Sequence, residues 1–332
     1  MKITMLGYRG CGKTCYMLGM YSFMSMGLNG FTISATDLDI DLDLINKWDQ
    51  LVEEQGENRW PPGNDKNVFE YAFNFNYGAK PIMQFNWLDY RGGALRDKSS
   101  ESDVASFLNH VKDSACLFLC ISGEYLTEEI VDENNEINVQ AKYRVGNQLK
   151  IQPINKILVD IQEKFQPSNA KPFPIAIVIT KYDQCAHRGK DVVMRDVKEL
   201  FSLLFQPDSG WLTSICPVSL GKDLANDLNG GEINPINIHL PVVFAVYAKL
   251  LENARDTKSN LDSVANSLSQ DKQGNWFQKW INSENIDQKG KSITQLQGQV
   301  ETLTRQMKLL VKELGKIPLY LGDQELELND KL

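Results

Sequence analysis

The chain has 332 residues, 42% of them hydrophobic and 23% charged, with 35 Lys and Arg against 43 Asp and Glu for a formal net charge of −8. That length suits about two domains, or one large domain with an appendage, and can bury a core without disulfide or metal staples. The acidic balance argues against broad nucleic-acid binding, which draws on many basic phosphate contacts, and no apolar run approaches the ~20 residues of a membrane span.

The opening MKITMLGYRG turns polar too early for a secretory signal. Residues 2–6 read as a short buried strand running into Gly7-Tyr8-Arg9-Gly10-Cys11-Gly12-Lys13-Thr14, a full match to G-x-x-x-x-G-K-[ST]. Residues 15–26 follow with Met17, Met20, Tyr21 and Met24 at helical spacing. Strand, loop and helix are the context that this motif needs. Glycines let the backbone curl so that its N–H groups face a polyphosphate, and the helix N-terminus adds partial positive charge. Gly7, Gly10, Cys11, Gly12 and Cys15 are therefore expected to line the phosphates. Lys13 is expected to reach the β- and γ-phosphates, and the Thr14 hydroxyl to ligate Mg²⁺.

Residues 31–35 read as a short extended segment. Thr36 is expected to cap a helix running through residue 54, with Leu38, Leu42, Ile45, Trp48 and Val52 on one face. The rival reading of DLDIDLDL is a strand of period two, but the apolar spacing continues past residue 44. The run Asp37, Asp39, Asp41, Asp43 reads as a solvated helix face, because the loop glycine of a calcium site is missing. Residues 57–65 form a Pro/Gly-rich loop, the expected first switch. Residues 68–75 and 82–88 look like paired strands around a turn at 77–81. The second of them ends in Asp89-Tyr90-Arg91-Gly92-Gly93, where a carboxylate can hold Mg²⁺ through water and the Gly92 N–H can sense a γ-phosphate. Residues 94–103 are polar, a candidate second switch, and 104–113 read as a helix. Residues 115–121 form an interior parallel strand, apolar on both faces, in which Cys116 and Cys120 are core thiols.

Residues 122–172 are long for one crossover between strands. An acidic loop over 128–138 precedes a single helix expected over 139–165, with Ile151, Ile154, Leu158 and Ile161 on its apolar face. A buried strand at 174–179 then runs into Thr180-Lys181-Tyr182-Asp183. This resembles the [NT]-K-x-D motif of GTPases, which implies that Asp183 accepts hydrogen bonds from guanine N1–H and the 2-amino group, an arrangement adenine does not offer, and that the Lys181 stem lies over the purine. A helix is expected over 191–205. Residues 213–219 are strand-like and end at Ser219; they resemble the GTPase loop whose backbone N–H contacts guanine O6. A helix over 234–252 closes the unit.

In this order GYRGCGKT, DYRG, TKYD and CPVS resemble a TRAFAC-class P-loop GTPase domain. The details look most like the divergent GTPase domains of bacterial conflict or defence operons, with a GxRGxGKT-like loop and a W-P-P-G segment that Trp60-Pro61-Pro62-Gly63-Asn64 fits. The resemblance implies an α/β, GTPase-like three-layer fold with a mostly parallel central sheet over residues 1–252, with an insertion around 122–172, and a helical extension over 253–332. It implies GTP and GDP as ligands, Mg²⁺ held by Thr14 and Asp89, and hydrolysis in a molecular switch acting within a multiprotein assembly. Lys13, Arg9, Arg91 and Gly92 are the candidate catalytic groups, the arginines as stabilisers of transition-state charge.

The chain departs from the pattern twice. Where the first-switch threonine is expected stands Asn64, with Thr32 and Thr36 as rivals, and that ligand stays unassigned. Where many small GTPases place a water-orienting Gln stands Gly93, which implies slow intrinsic turnover unless another group helps. A non-hydrolysing nucleotide-binding scaffold is therefore the second reading; an ATPase, which requires TKYD to be accidental, is the third.

Residues 253–274 are polar, a helix plus linker, and Trp276, Phe277, Trp280 and Ile281 cluster as a docking patch. Ile293, Leu296, Val300, Leu303, Met307, Leu310, Leu314 and Ile317 then form a heptad seam over residues 293–317. Such a seam pairs with a second copy, a partner or the chain's own helices. Residues 320–332 are acidic and expected to fray. The six cysteines lack paired CxxC spacing and read as free thiols in a reducing cytoplasm. His110, His187 and His239 make no zinc pattern.

Overall fold

The computed structural model describes residues 1–54, 56–61, 69–89, 101–222, 224, 231–273 and 283–328. Asn64, Tyr90, Arg91, Gly92 and Gly93, most of the second-switch segment, and the Trp276, Phe277, Trp280 and Ile281 cluster lie outside the described residues.

The chain runs β1 (Lys2–Gly7), α1 (Lys13–Ser25), β2 (Phe31–Ala35), α2 (Leu38–Glu53), β3 (Phe69–Tyr77), β4 (Lys80–Asp89), α3 (Glu101–Lys112) and β5 (Cys116–Ser122). It continues with α4 (Val139–Gln148), α5 (Ile151–Phe165), β6 (Phe173–Thr180), α6 (Lys190–Leu200), β7 (Trp211–Pro217), β8 (Ser219–Lys222) and β9 (Glu232–Ile236). It ends with α7 (Leu240–Gln273), α8 (Ser283–Leu314), β10 (Leu319–Leu321) and β11 (Gln324–Glu325). Among the described residues, nine strands form one sheet in the order β11-β10-β7-β6-β5-β1-β4-β3-β2. The contiguous run β7-β6-β5-β1-β4 is parallel, and antiparallel strands extend it at both ends.

Alternation along the central strands builds the layers. Cys116, Phe118 and Cys120 of β5 join a core with α1, α2, α7 and α8, whereas Leu117, Leu119 and Ile121 join another with α3, α4, α5 and α6. Both faces of β5 are buried along its whole length, as expected for a strand covered by helices on each side. The result is the expected three-layer α/β fold. The chain leaves β1 for α1 and returns to opposite sides of it through β4 and β5, so the crevice beyond the β1 carboxyl end is the topological switch point where such sheets bind ligands.

Several expectations are corrected. Asp37, not Thr36, caps α2: its carboxylate accepts from Asp39 N at 2.8 Å. Thr36 instead donates through its hydroxyl to Ala72 O at 3.3 Å. The buried face of α2 is Leu44, Trp48 and Leu51, while Leu38, Leu42, Ile45 and Val52 are exposed. The single helix expected over 139–165 is two, because Lys150 adopts a left-handed φ of 58° between α4 and α5. Pro153 explains the break. In a continuous helix its ring would meet the carbonyl of residue 149, whereas in the first turn of α5 no such clash arises. The helix expected over 191–205 stops at Leu200 and becomes a 3-10 turn at Ser202–Phe205.

The strand expected to end at Ser219 instead turns there into a β8–β9 hairpin, and the next helix begins at Leu240, with residue 252 falling inside α7. The seam of α8 packs against α7 within the same chain: Met307, Leu310, Leu314 and Ile317 are buried in the core, while Ile293, Leu296 and Val300 are half-buried. The C-terminal end does not fray at residue 320. Leu319–Leu321 pair with Leu212–Ser214 of β7, Tyr320 is buried, and the Lys198 ammonium lies 4.4 Å from its ring centroid.

Candidate functional site

The phosphate loop is shaped by glycine where the backbone requires it. Gly10 and Gly12 have φ of 82° and 83°, conformations that L side chains rarely adopt. Gly7 is needed for space: a Cβ there would lie 2.7 Å from both Cys11 Sγ and the Cys120 carbonyl. The N-cap residue of α1 is Gly12, which has no side chain with which to cap the helix, an arrangement that suits its first N–H groups to an anion. Lys13 is 8% exposed, and its ammonium donates to Gly7 O at 2.7 Å and Tyr8 O at 3.3 Å. The loop is clamped from below by Thr180, whose hydroxyl contacts the Cys11 carbonyl and lies 3.0 Å from Ile121 O.

Asp89 ends β4 beside this loop, only 2% exposed. Its Oδ2 accepts from the Thr14 hydroxyl at 3.2 Å, and its Oδ1 has no partner among the described residues. Burial pushes the Asp89 carboxyl up, against the pull of the nearby Lys13 ammonium and the Thr14 hydrogen bond. A buried carboxylate oxygen without a partner, next to a threonine hydroxyl, is a donor pair that suits a hard divalent cation. Residues Thr14 and Asp89 therefore fit magnesium. Among the described residues no group of three or more His, Cys, Asp and Glu could form a metal cage, which suits an ion that takes several of its ligands from phosphate oxygens and water. Burial pushes the Cys15 thiol up to about 11 and raises Cys11 as well, so at neutral pH both are uncharged thiols. What they offer a phosphate is backbone N–H.

The other end of the cleft is built where β6 and β7 finish. Lys181 holds a left-handed φ of 50°, and its ammonium bonds Glu124 Oε2 at 2.7 Å, which fixes the lysine stem across the cleft. Glu124 sits in the turn directly after β5, and a Cβ on Gly123 would come within 2.7 Å of the Lys181 carbonyl. Asp183 accepts from Ser219 Oγ at 2.8 Å and from Gln184 Nε2 at 2.6 Å. Ser219, 2% exposed, in turn accepts from Gly221 N at 3.1 Å. Both oxygens of Asp183 are thus held by donors that orient the carboxylate.

One cleft of about 400 Å³ joins the two ends. It brings together Arg9, Gly10, Gly12, Lys13, Thr14, Cys15 and Asp89 with Lys181, Asp183 and Ser219. Gly7 and Cys11 shape the loop behind it. Arg91 and Gly92 lie outside the described residues, as does Asn64; Thr36 and Thr32 are on or beside β2, paired with β3, and do not line the cleft. Trp60 and Pro61, which belong to the loop expected as the first switch but are not among the residues expected to line the site, form a wall of the cleft. Arg59 positions it: buried, it donates from Nε to Leu51 O at 3.1 Å, and its guanidinium lies 5.2 Å from the Trp60 ring centroid. Thr180, Glu124 and Gly221 also escaped sequence reasoning as site residues. Thr180 belongs to the TKYD motif, which was the available signal; the other two have no local one.

No protein-family model matches the chain, and no curated protein matches it. Among solved structures, the chain is similar to the GTPase-like domain of Saccharomyces cerevisiae Ski7 bound to GTP, with 13% identity and a TM-score of 0.39 over 74% of this chain and 48% of that one. It is also similar to a chain of the signal recognition particle receptor SRb-GTP/SRX complex from Chaetomium thermophilum, with 13% identity and a TM-score of 0.30 over 61% of this chain and 80% of that one. The chain thus spans about half the length of the Ski7 chain. Likeness at this level speaks to neither activity nor partner.

Proposed function

We propose that this chain is a GTP-binding switch that hydrolyses GTP slowly to GDP and phosphate with Mg²⁺. The observation that carries the reading is the pairing, in one cleft, of an oriented carboxylate at Asp183 with the phosphate-loop group Lys13, Thr14 and Asp89. Guanine presents two adjacent N–H donors to a carboxylate, and adenine presents no such pair, so Asp183 selects the base by what it leaves unsatisfied in the wrong complex. The Lys181 stem, pinned by Glu124, supplies a flat apolar surface for the purine.

At the phosphate end, Lys13 must exchange its contacts to Gly7 O and Tyr8 O for anionic oxygens, which make stronger, charge-assisted hydrogen bonds. The backbone amides of the loop and Lys13 then stabilise charge developing on the transferred phosphoryl group. Thr14 and Asp89 would hold magnesium, which supplies neutralisation of phosphate charge when bound. Arg9 lines the cleft and is placed to add positive charge; Arg91 and Gly92 are assigned to catalysis by motif alone. Gly93 carries no side chain to orient water, hence slow turnover without an activating partner.

The motif order supports the TRAFAC class, and the W-P-P-G segment supports kinship with conflict-operon GTPases; a role in a defence assembly rests on that kinship alone. No helix among the described residues is long and apolar enough to cross a membrane. The six free cysteines support a reducing cytoplasm. The part of the tail left for a protein partner or a second copy is the far half of the α7–α8 hairpin, where Ile293, Leu296 and Val300 stay half-buried.

A competition titration of the full chain with GTP, GDP and ATP, followed by phosphate release, tests the reading. Tight guanine nucleotide binding with negligible ATP affinity and slow phosphate release is expected. Equal ATP affinity overturns the base assignment. Nucleotide bound but never released as product, with or without partners, favours the scaffold reading that Gly93 supports.

A further inference from the structure

The apolar arc of α2 is wider than its contact with the core. Leu44, Trp48 and Leu51 are buried, but Leu38, Leu42, Ile45 and Val52 remain 70%, 49%, 40% and 39% exposed. At about 100° per residue, these four fall on one stripe of the helix, adjoining the buried edge at Trp48. Their spacing is that of a helix seam awaiting a second helix. Isolated exposed leucines need no explanation, but an aligned row of large aliphatic side chains marks an interaction surface.

The charges around the stripe choose its occupant. Asp49 lies within it, between Ile45 and Val52, and Asp39 and Glu53 border its outer edge; all three are exposed. Lys47, the single basic residue between positions 37 and 54, is engaged by Asp43 at 2.5 Å. We propose that the outer face of α2 docks a cationic amphipathic helix of a partner protein, whose aliphatic side chains cover Leu38, Leu42, Ile45 and Val52 and whose Lys or Arg side chains meet Asp39, Asp49 and Glu53. A second copy of this chain would bring acidic face to acidic face, and an anionic membrane would be repelled, so charge complementarity favours the basic helix over both.

The inner side of the same helix reaches the nucleotide cleft. A Cβ on Gly19 would lie 3.2 Å from Trp48 and 2.2 Å from Leu220 of the Ser219 hairpin, and the Leu51 carbonyl anchors Arg59 behind Trp60. The docking face is therefore the back of the cleft wall.

The test uses a fluorescent synthetic peptide of about 18 residues, long enough to hold a helix, with a Leu stripe flanked by Lys, titrated with the full chain. Saturable binding is expected, weakened more than about tenfold by the double change Leu38→Gln and Leu42→Gln through lost apolar burial. Both side chains are exposed, so circular dichroism should be unchanged. Asp49→Lys should weaken the Lys peptide about fivefold and strengthen a counterpart carrying Glu in place of Lys. No saturable binding, or binding indifferent to all three substitutions, overturns the proposal. So does parent chain that self-associates in sedimentation and loses this with the Leu38→Gln and Leu42→Gln change, which makes a second copy the occupant.

Discussion

Replacing Asp183 with Asn removes the group on which the proposed guanine selection rests while keeping its size. In the parent, Ser219 and Gln184 hold the two carboxylate oxygens at 2.8 Å and 2.6 Å, so the acceptor is oriented before the base arrives. Hydrogen bonds to a charged group contribute about 1.5–3 kcal/mol each. Asn loses the charge on one contact and opposes an N–H to an N–H at the other. The combined loss is about 3 kcal/mol or more, a rise of ~150-fold in the GDP dissociation constant. Xanthine carries a carbonyl where guanine carries its 2-amino group, so the Asn amide donor meets an acceptor again. Asp183→Asn is therefore expected to bind xanthosine diphosphate more tightly than GDP, and the parent the reverse. Isothermal titration of both ligands against both proteins measures the four affinities. Unchanged GDP affinity in Asp183→Asn, with no gain for the xanthine nucleotide, would refute the placement of the base between Lys181 and Ser219.

Three further outcomes follow from named contacts. Burial raises the Asp89 carboxyl, so its contribution to stability is present below the ordinary carboxylate range and lost as pH rises through the raised value. Asp89→Asn should then be at least as stable as the parent at neutral pH without nucleotide, yet lose the Mg²⁺-dependent part of the Tm rise that GDP produces; a surviving Mg²⁺ shift would remove Asp89 from the metal site. A Cβ on Gly221 would lie 1.7 Å from the Glu232 carbonyl, so Gly221→Ala should open the β8–β9 hairpin, release Ser219 and weaken GDP about tenfold or more, as read by titration; parent-like affinity would show that the hairpin does not position the base site. The last concerns the tail's anchorage. Burial holds His239 below its usual range despite Glu313, and its Nε2 lies 2.8 Å from Glu313 Oε2. Burial pushes Glu313 up, but hydrogen bonds from Lys316 and His239 outweigh it and hold it below its usual range. Both depressed values mean that stability is lost as pH falls, beginning near about 6.5, where the unfolded His takes up a proton. His239→Gln should flatten the Tm profile between about pH 7 and 5, and an unchanged slope would show that this network does not set acid sensitivity.

What the chain shows in one dimension is what short-range chemistry can encode. Eight contiguous residues carry the phosphate loop, and their φ values at Gly10 and Gly12 are a local demand that glycine meets. The continuous apolar runs at β5 and β6 announce strands buried on both faces, because no other placement satisfies them. TKYD is legible because the end of a buried strand points its next residues at the crevice. Periodicity fails where two answers share one pattern. In α2 the apolar residues fill a broad arc, and only packing on the sheet decides that Leu44, Trp48 and Leu51 turn inward while Leu38 and Leu42 stay out. The kink at Lys150 depends on Pro153 competing with an otherwise continuous helical pattern. The rest is long-range. Thr180 meets a carbonyl 169 residues away, Lys181 is held by Glu124, and the C-terminal residues Leu319–Leu321 complete the sheet beside β7. Such contacts join segments that carry no mark of one another, and only the folded sheet, by fixing which strands and strand ends meet, brings them together.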